Sequence, residues 1–374
     1  MMMRRMKCRH YVMLVLALVV TFHYCGVFQY FQQLSYDTEF SYPYEGDVRK
    51  WREMLKAGKT PPVAPEYSHQ YYLARNPKEK CLASDGSHYE QLRLVYLVKS
   101  AVGNSERREA IRQSWGFERR FSDVPIRTVF LLGQASHDVR LQAAVEREAR
   151  KYNDIVQADF QDSYFNNTLK TAMALRWAVE SCAKSRFYMF VDDDYYVSTR
   201  NVLAYLRNPV NYPGYLQEDV ISFDEKEYNK QIGRKLHQLV DFDLPADVQL
   251  FTGFVFPRSR PQRHRWSKWY VDLLEYPFDF WPPYVTAGAY ILSRDGLVEM
   301  YYTSYYTRRF RFDDIWLGLI AKKAGLEPLH NSEFYFSPPQ YTVNRYKYVI
   351  ASHGFSQPDH MLEIWNQQKE AGHA

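Results

Sequence analysis

From residue 92 onward the chain alternates short apolar runs with charged amphipathic stretches, and this alternation limits its possible folds more than any other feature. Residues 93–100 (RLVYLVKS) and 127–133 (RTVFLLG) read as strands, and residues 153–160 offer a shorter third. Residues 105–116 (SERREAIRQSWG), 138–152 and 168–184 read as helices, the first opened by a serine. Strand and helix succeeding one another at this spacing predict an α/β fold, its parallel sheet covered by helices on both faces.

The next apolar run, residues 187–198 (FYMFVDDDYYVS), carries three adjacent carboxylates. In a strand Asp192 and Asp194 share a face and Asp193 points away. Carboxylates this close raise one another's pKa unless a cation sits between them, and a divalent cation with oxygen ligands would serve. A solvated acidic turn would read the same way, and VDFDLPAD supplies a second Asp-x-Asp at Asp241 and Asp243. The buried-strand pattern ahead of the first triplet distinguishes it, because open α/β sheets bind ligands beyond the carboxyl ends of their strands.

Residues 201–206 continue as helix, and 212–247 form a charged insertion without periodicity. Residues 250–256 (LFTGFVF) and 284–293 (YVTAGAYILS) read as further strands, joined by an aromatic, Pro-rich loop. In RRFRFDDIWLGLIAKKAG, Asp313 and Asp314 open a helix, where a carboxylate is either a cap or a general base at the sheet edge. The arginines Arg107, Arg108 and Arg112 form either a solvated helix face or a site for a pyrophosphate. Asn166-Asn167-Thr168 is an N-glycosylation sequon. His330 and His353 take no role from the residues alone.

The chain has 374 residues, of which 46% are hydrophobic and 24% charged, so it forms globular structure of one large or two ordinary domains. Its net charge of +5 is small for that length and argues against nucleic acid as a partner. Aromatic residues reach 17%, which permits sugar stacking and also fills cores. Arg4, Arg5, Lys7 and Arg9 precede a stretch free of charged residues from His10 to Tyr36. Residues 11–31 are long enough to span a membrane, and the basic flank places the N-terminus in the cytoplasm. A cleaved signal peptide over 11–20 is the rival, disfavoured by bulky residues where a small-residue cleavage pattern belongs. Residues 32–90 read as a Tyr-rich stem broken by KTPPVAP. Cys81 and Cys182 are equally compatible with a disulfide and with two thiols.

In one order, KSAVGNSERREAIRQSWG, RTVFLLG, DSYFNNTLKT, FYMFVDDDYYVS, KWYVDLLEYPFDFWPPYVTAGAYILS, FRFDDIWLG and ASHGF resemble glycosyltransferase family 31, the inverting β-1,3-glycosyltransferases, in particular its brainiac-like branch. The resemblance covers about residues 93–365. It implies a GT-A type, Rossmann-like fold with a mixed, mostly parallel sheet (residues 91–374), a UDP-sugar donor, Mn²⁺, and a single-pass type II Golgi membrane anchor (residues 11–31) behind a short cytoplasmic tail (1–10). It further implies Asp194 and His353 as metal ligands, and Asp192, Asp193, Arg108, Arg112 and Lys170 on the donor side. Asp314 matches the position of the catalytic base. Asp313 stands where the family carries Glu, and joins Trp269, Trp281 and Tyr284 on the acceptor side. The sequon would glycosylate Asn166. The branch transfers N-acetylglucosamine to a glycolipid or glycoprotein glycan, while near relatives transfer galactose, and no single residue decides between these sugars. An inactive lumenal glycan-binding protein should have lost part of the triplet, Asp314 or His353, and a metal-dependent phosphatase would need nucleophile motifs that are missing here.

Overall fold

The computed structural model describes residues 2–41, 46–69, 71–83, 86, 92–217 and 244–374, with backbone only for 2–8. Asp241, Asp243 and most of the 212–247 insertion lie outside the described residues. The chain divides into two compact units, one of residues 1–44 and 256–283, the other of 45–255 and 284–374.

The larger unit carries the expected α/β alternation. Its strands are β1 (Leu73–Arg75), β2 (Leu94–Lys99), β3 (Ile126–Gln134), β4 (Ile155–Gln161), β5 (Phe187–Asp192), β6 (Tyr195–Val197), β7 (Phe251–Phe256), β8 (Tyr284–Ser293), β9 (Leu329–His330), β10 (Phe334–Tyr335) and β11 (Ala351–His353). Eight of them form a mixed, mostly parallel sheet in the order β1-β4-β3-β2-β5-β8-β7-β9. β4, β3, β2 and β5 run parallel, and β1 and β8 pair antiparallel to their neighbours β4 and β5.

All six residues of β2 are buried, as a central parallel strand covered on both faces requires. Leu94, Tyr96 and Val98 join one core cluster with Ala110, Ile111 and Trp115 from the following helix Ser105–Gln113 and its exit. The helix Asn167–Ser181 buries ten of its residues, the polar Thr168, Lys170, Thr171 and Ser181 among them, which is why its sequence lacks a clean amphipathic stripe. A second, three-stranded sheet has the order β10-β11-β6, with His353 in register with Tyr195.

Part of the stretch read as a stem packs into this unit. The helix Val48–Lys56 buries Trp51 against the Tyr306 ring and ion-pairs Arg52 with Glu299 at 2.7 Å. Cys81 and Cys182 form a disulfide, resolving the alternative left open by the sequence. These few anchors, a tryptophan, an arginine and a cysteine in a polar stretch, are too sparse to show as periodicity.

In the smaller unit the apolar N-terminal stretch is helical over Met2–Tyr24, then turns at Gly26 in the left-handed region with φ 77°. A Cβ at Gly26 would lie 2.2 Å from the Arg263 carbonyl oxygen, so only glycine meets both the dihedral and the contact. Among the described residues no helix is long and apolar enough to cross a membrane. The expected continuous span of 11–31 is therefore interrupted, because the turn at Gly26 leaves its apolar part short of the roughly 20 residues a hydrocarbon core requires. Beyond the turn, the Leu34 amide donates to the Pro277 carbonyl and the Asp279 amide to that of Leu34, both at 3.0 Å. Arg263, fully buried, donates to the carbonyls of Val271, Tyr276 and Phe278 and so shapes the aromatic loop from inside.

Candidate active site

The carboxyl ends of β2 and β5 lie side by side, with Lys99 and Asp192 in register. The Lys99 ammonium, 5% exposed, meets Asp192 Oδ1 at 3.1 Å and Asp313 Oδ2 at 2.8 Å, and donates to the Ala287 carbonyl at 2.9 Å. Burial works against its charge, yet the Asp192 and Asp313 carboxylates prevail and hold the ammonium above its ordinary range. Burial also pushes the Asp192 carboxyl up to about 7, against Lys99 and with help from Asp194 and Asp313.

The three aspartates of the triplet have different partners. Asp193 accepts from Ser100 Oγ at 2.6 Å, Asn104 Nδ2 at 2.9 Å and Arg107 Nη1 at 3.0 Å, so its charge is fully matched. Asp194 Oδ2 stands 3.2 Å from His353 Nε2, and the Phe355 amide donates to the Asp194 carbonyl at 2.8 Å. Asp194 Oδ1 is buried without a hydrogen-bond partner. A buried carboxylate oxygen left unmatched beside an imidazole nitrogen fits a divalent cation as the missing partner. Among the described residues no cluster of three or more His, Cys, Asp or Glu is arranged to hold a metal, so these two side chains would need donor oxygens or water to complete a coordination shell. Tyr195 closes the floor of this pair. Its ring lies 5.3 Å from that of His353, and a Cβ on Gly288 would come 2.2 Å from its phenol oxygen.

Asp313 and Asp314 open the helix Asp313–Ala324. Asp313 is held by Lys99 and by Thr171 Oγ1 at 3.1 Å. Among the described residues Asp314 makes no such ion pair; its Oδ1 accepts from the Ile315 amide at 2.8 Å. Burial, reinforced by the neighbouring Asp313 charge, raises the Asp314 carboxyl to about 7, although the Ile315 amide and Lys99 oppose the shift. A carboxyl raised this far is a candidate for proton exchange at neutral pH.

A galactosyltransferase family model matches residues 106–238 and 230–332, more than half of the chain. The chain belongs to the galactosyltransferase family. It is 41% identical over 363 residues to the Drosophila melanogaster protein beta-1,3-galactosyltransferase brn, covering 97% of this chain and 96% of that one. The Homo sapiens beta-1,3-galactosyltransferase 1 is 32% identical over 315 residues, covering 84% of this chain and 83% of the relative. Among solved structures, the galactosyltransferase LgtC with donor and acceptor sugar analogues aligns with 75% of this chain and all of its own, at 14% identity and a TM-score of 0.34. The protein is thus a glycosyltransferase enzyme, and the carboxylates at the ends of β5 and the helix Asp313–Ala324 are its candidate machinery.

Within this galactosyltransferase-family fold several basic residues expected on the donor side have partners within the protein. Arg108 is fully buried, with Nε and Nη2 of its guanidinium on the two Glu148 oxygens at 2.8 and 2.6 Å and further bonds to the carbonyls of Ala101 and Val102. Arg112 binds Glu148 and Asp154, with the Tyr152 ring 3.9 Å away. Lys170 joins Asp162 to the Ser100 carbonyl, at 2.8 and 2.7 Å. Arg108 and Lys170 hold the loop after β2 in place, while Arg112 ties its helix to Glu148 and Asp154. Arg107, on the same helix, is the arginine that reaches the triplet.

Tyr284 begins β8 in the larger unit and is half-buried. Trp269 and Trp281 belong to the smaller unit: Trp269 is half exposed, while Trp281 is buried with its ring 4.0 Å from that of Tyr276, a packing role. At the sequon, Asn166 Nδ2 donates to the Gln161 carbonyl at 2.7 Å, and Thr168 is buried on the Phe310 carbonyl. Lys99, Ser100, Asn104 and Thr171 were not singled out from sequence. Only Lys99 left a signal, as the one charge closing an otherwise apolar six-residue strand.

Proposed function

We propose that the protein is an inverting β-1,3-glycosyltransferase that moves a hexose from a UDP-sugar to the 3-hydroxyl of a glycan terminus on a glycolipid or glycoprotein. The observation that carries this reading is Asp314, a buried carboxyl raised to about 7 beside the Asp313–Lys99–Asp192 chain. Asp314 takes the proton of the acceptor hydroxyl as its oxygen attacks the anomeric carbon from the face opposite UDP. The bond to UDP breaks, its electron pair leaves with the diphosphate, and one base suffices for inversion. Asp194 and His353 would hold a manganese ion, whose chemistry is to offset the charge growing on the diphosphate. Asp192 and Asp193 stand on the donor side, and Lys99 and Arg107 keep them in place.

Two donors are in question. The brainiac-like motifs favour UDP-N-acetylglucosamine, with a β-mannosyl or β-galactosyl acceptor; the names of the relatives at 41% and 32% identity favour UDP-galactose. We further place residues 11–31 in a Golgi membrane as a signal anchor, with the catalytic body lumenal. The Cys81–Cys182 disulfide supports an oxidising compartment.

The test is a donor screen of the full-length chain with Mn²⁺, several UDP-sugars and mannose- or galactose-terminated acceptors. Transfer of N-acetylglucosamine in β-1,3 linkage is expected, transfer of galactose alone selects the second reading, and no transfer from any UDP-sugar rejects both.

A further inference from the structure

The smaller unit presents an unusual surface beside the end of the apolar N-terminal helix. The Arg265 amide donates to the Tyr24 carbonyl at 3.1 Å, and the Trp266 ring stacks on that of Tyr24 at 5.7 Å between centroids and 11° between planes. Backbone and ring together therefore fix the 264–270 segment at the helix terminus. Around it, Trp266 is 67% exposed despite the Tyr24 ring, Leu274 96% and Phe31 85%, large apolar groups left mostly open to solvent. Trp269 is exposed as well, and the exposed cations Arg265 and Lys268 alternate with the two tryptophans along the chain.

We propose that this face rests in the headgroup layer of a lipid bilayer, with Trp266, Trp269 and Leu274 inserted beside the helix and Arg265 and Lys268 directed at lipid phosphates. The inference rests on the reading of residues 11–31 as a membrane anchor and goes beyond it by assigning a second membrane contact to a loop far away in sequence. Tryptophan and tyrosine favour the boundary where one edge of the ring is wet and the other apolar. Basic residues next to them gain from anionic headgroups. Charge pattern and continuity with the helix end thus select lipid as the occupant of the face.

The length of the helix supplies a reason for the arrangement. From Arg9 to Tyr24 an α-helix rises roughly 22 Å, less than the roughly 30 Å of a hydrocarbon core. A short span is accommodated by bilayer thinning or by apolar groups at its flank. The tryptophan-bearing loop provides that flank and fixes its position through the Tyr24 contacts.

The experiment uses the full-length chain reconstituted in phosphatidylcholine and phosphatidylserine vesicles, with acyl chains brominated in one preparation. Carbonate extraction first reports whether the chain is integrally anchored. Release into the wash would reject the anchor reading and this inference with it. In anchored protein, brominated lipid should quench tryptophan emission, the Trp266→Phe/Trp269→Phe double variant should lose most of that quench, and Trp281→Phe, altering a buried ring, should keep it. An unchanged quench in the double variant of a carbonate-resistant protein overturns the inference and leaves the anchor standing. Unquenched tryptophans in a chain that sediments as a stable dimer would overturn it too, assigning the face to a second copy.

Discussion

The Nζ of Lys99 lies 2.8 Å from Asp313 Oδ2, joining the end of a central strand to the first turn of the helix that carries Asp314. With Asp192 at 3.1 Å on its other side, this buried cation is the link between the donor-side triplet and the candidate base. Lys99→Met removes the cation that Asp192 and Asp313 share and leaves Asp313 only the Thr171 hydroxyl. We expect a loss of stability of about 3 kcal/mol by chemical denaturation and a fall in kcat on the order of 10²-fold. A variant with near-normal kcat would show that the link serves folding alone.

The pH profile follows from Asp314. Its carboxyl, raised to about 7, must be ionised to accept a proton, so kcat/KM should climb about tenfold per pH unit below that value and level off above it. Initial rates across the neutral range at saturating Mn²⁺ provide the measurement. Rates independent of pH below the raised value would place the base elsewhere.

Asp314→Asn should cost roughly 10³-fold in turnover while leaving UDP binding nearly intact, as titration calorimetry would register. The stability effect has the opposite sign. Because the folded carboxyl has the higher pKa, the folded state binds the proton more tightly, and this contribution, complete below the unfolded value, is lost as pH rises through about 7. The neutral amide avoids the loss, so the variant should be more stable than the wild type by on the order of 1 kcal/mol at alkaline pH and equal to it in acid.

Asp194 and His353 should behave as a pair in metal dependence. Asp194→Asn and His353→Ala are each expected to raise the Mn²⁺ concentration for half-maximal activity by roughly 10- to 100-fold, with chelation reversible by added metal. Activity titrations against Mn²⁺ test this. A drop in maximal rate at an unchanged metal requirement would instead mark them as substrate contacts.

Arg108 distinguishes scaffold from donor contact. With its guanidinium bound to Glu148 and to the carbonyls of the loop after β2, Arg108→Met should lower stability by about 3–5 kcal/mol. The folded fraction should keep a KM for the UDP-sugar within about threefold of the wild type, since the residue would touch no donor. A large KM change without destabilisation would restore the donor role.

How much of this was legible in the chain depended on how local the signal was. Central strands such as Leu94–Lys99 and Phe187–Asp192 showed as unbroken apolar runs because both their faces are covered. The triplet was visible too, but not its division of labour, since the partners of Asp193 come from a loop and helix start at Ser100, Asn104 and Arg107. Helical spacing placed Arg107, Arg108 and Arg112 on one element without revealing that Glu148 and Asp154 would claim two of them. Packing of the segment before β2 was hidden for a similar reason: Trp51, Arg52 and Cys81 each find a partner far along the chain. The interruption at Gly26 depends on Arg263, which no local pattern connects to it.

The three-stranded sheet gives the C-terminus a particular genetic vulnerability. All eight strands of the main sheet are complete by His330, and the family match ends at 332, yet His353 and the strand that sets its register with Tyr195 come later. A stop codon between these points would encode a chain that still scores as a family member and retains Asp192, Asp193, Asp194 and Asp314, but has lost the imidazole facing Asp194. Alleles of this kind would lack the His353 imidazole and the core residues Val349, Ile350 and Trp365 while keeping an intact family signature.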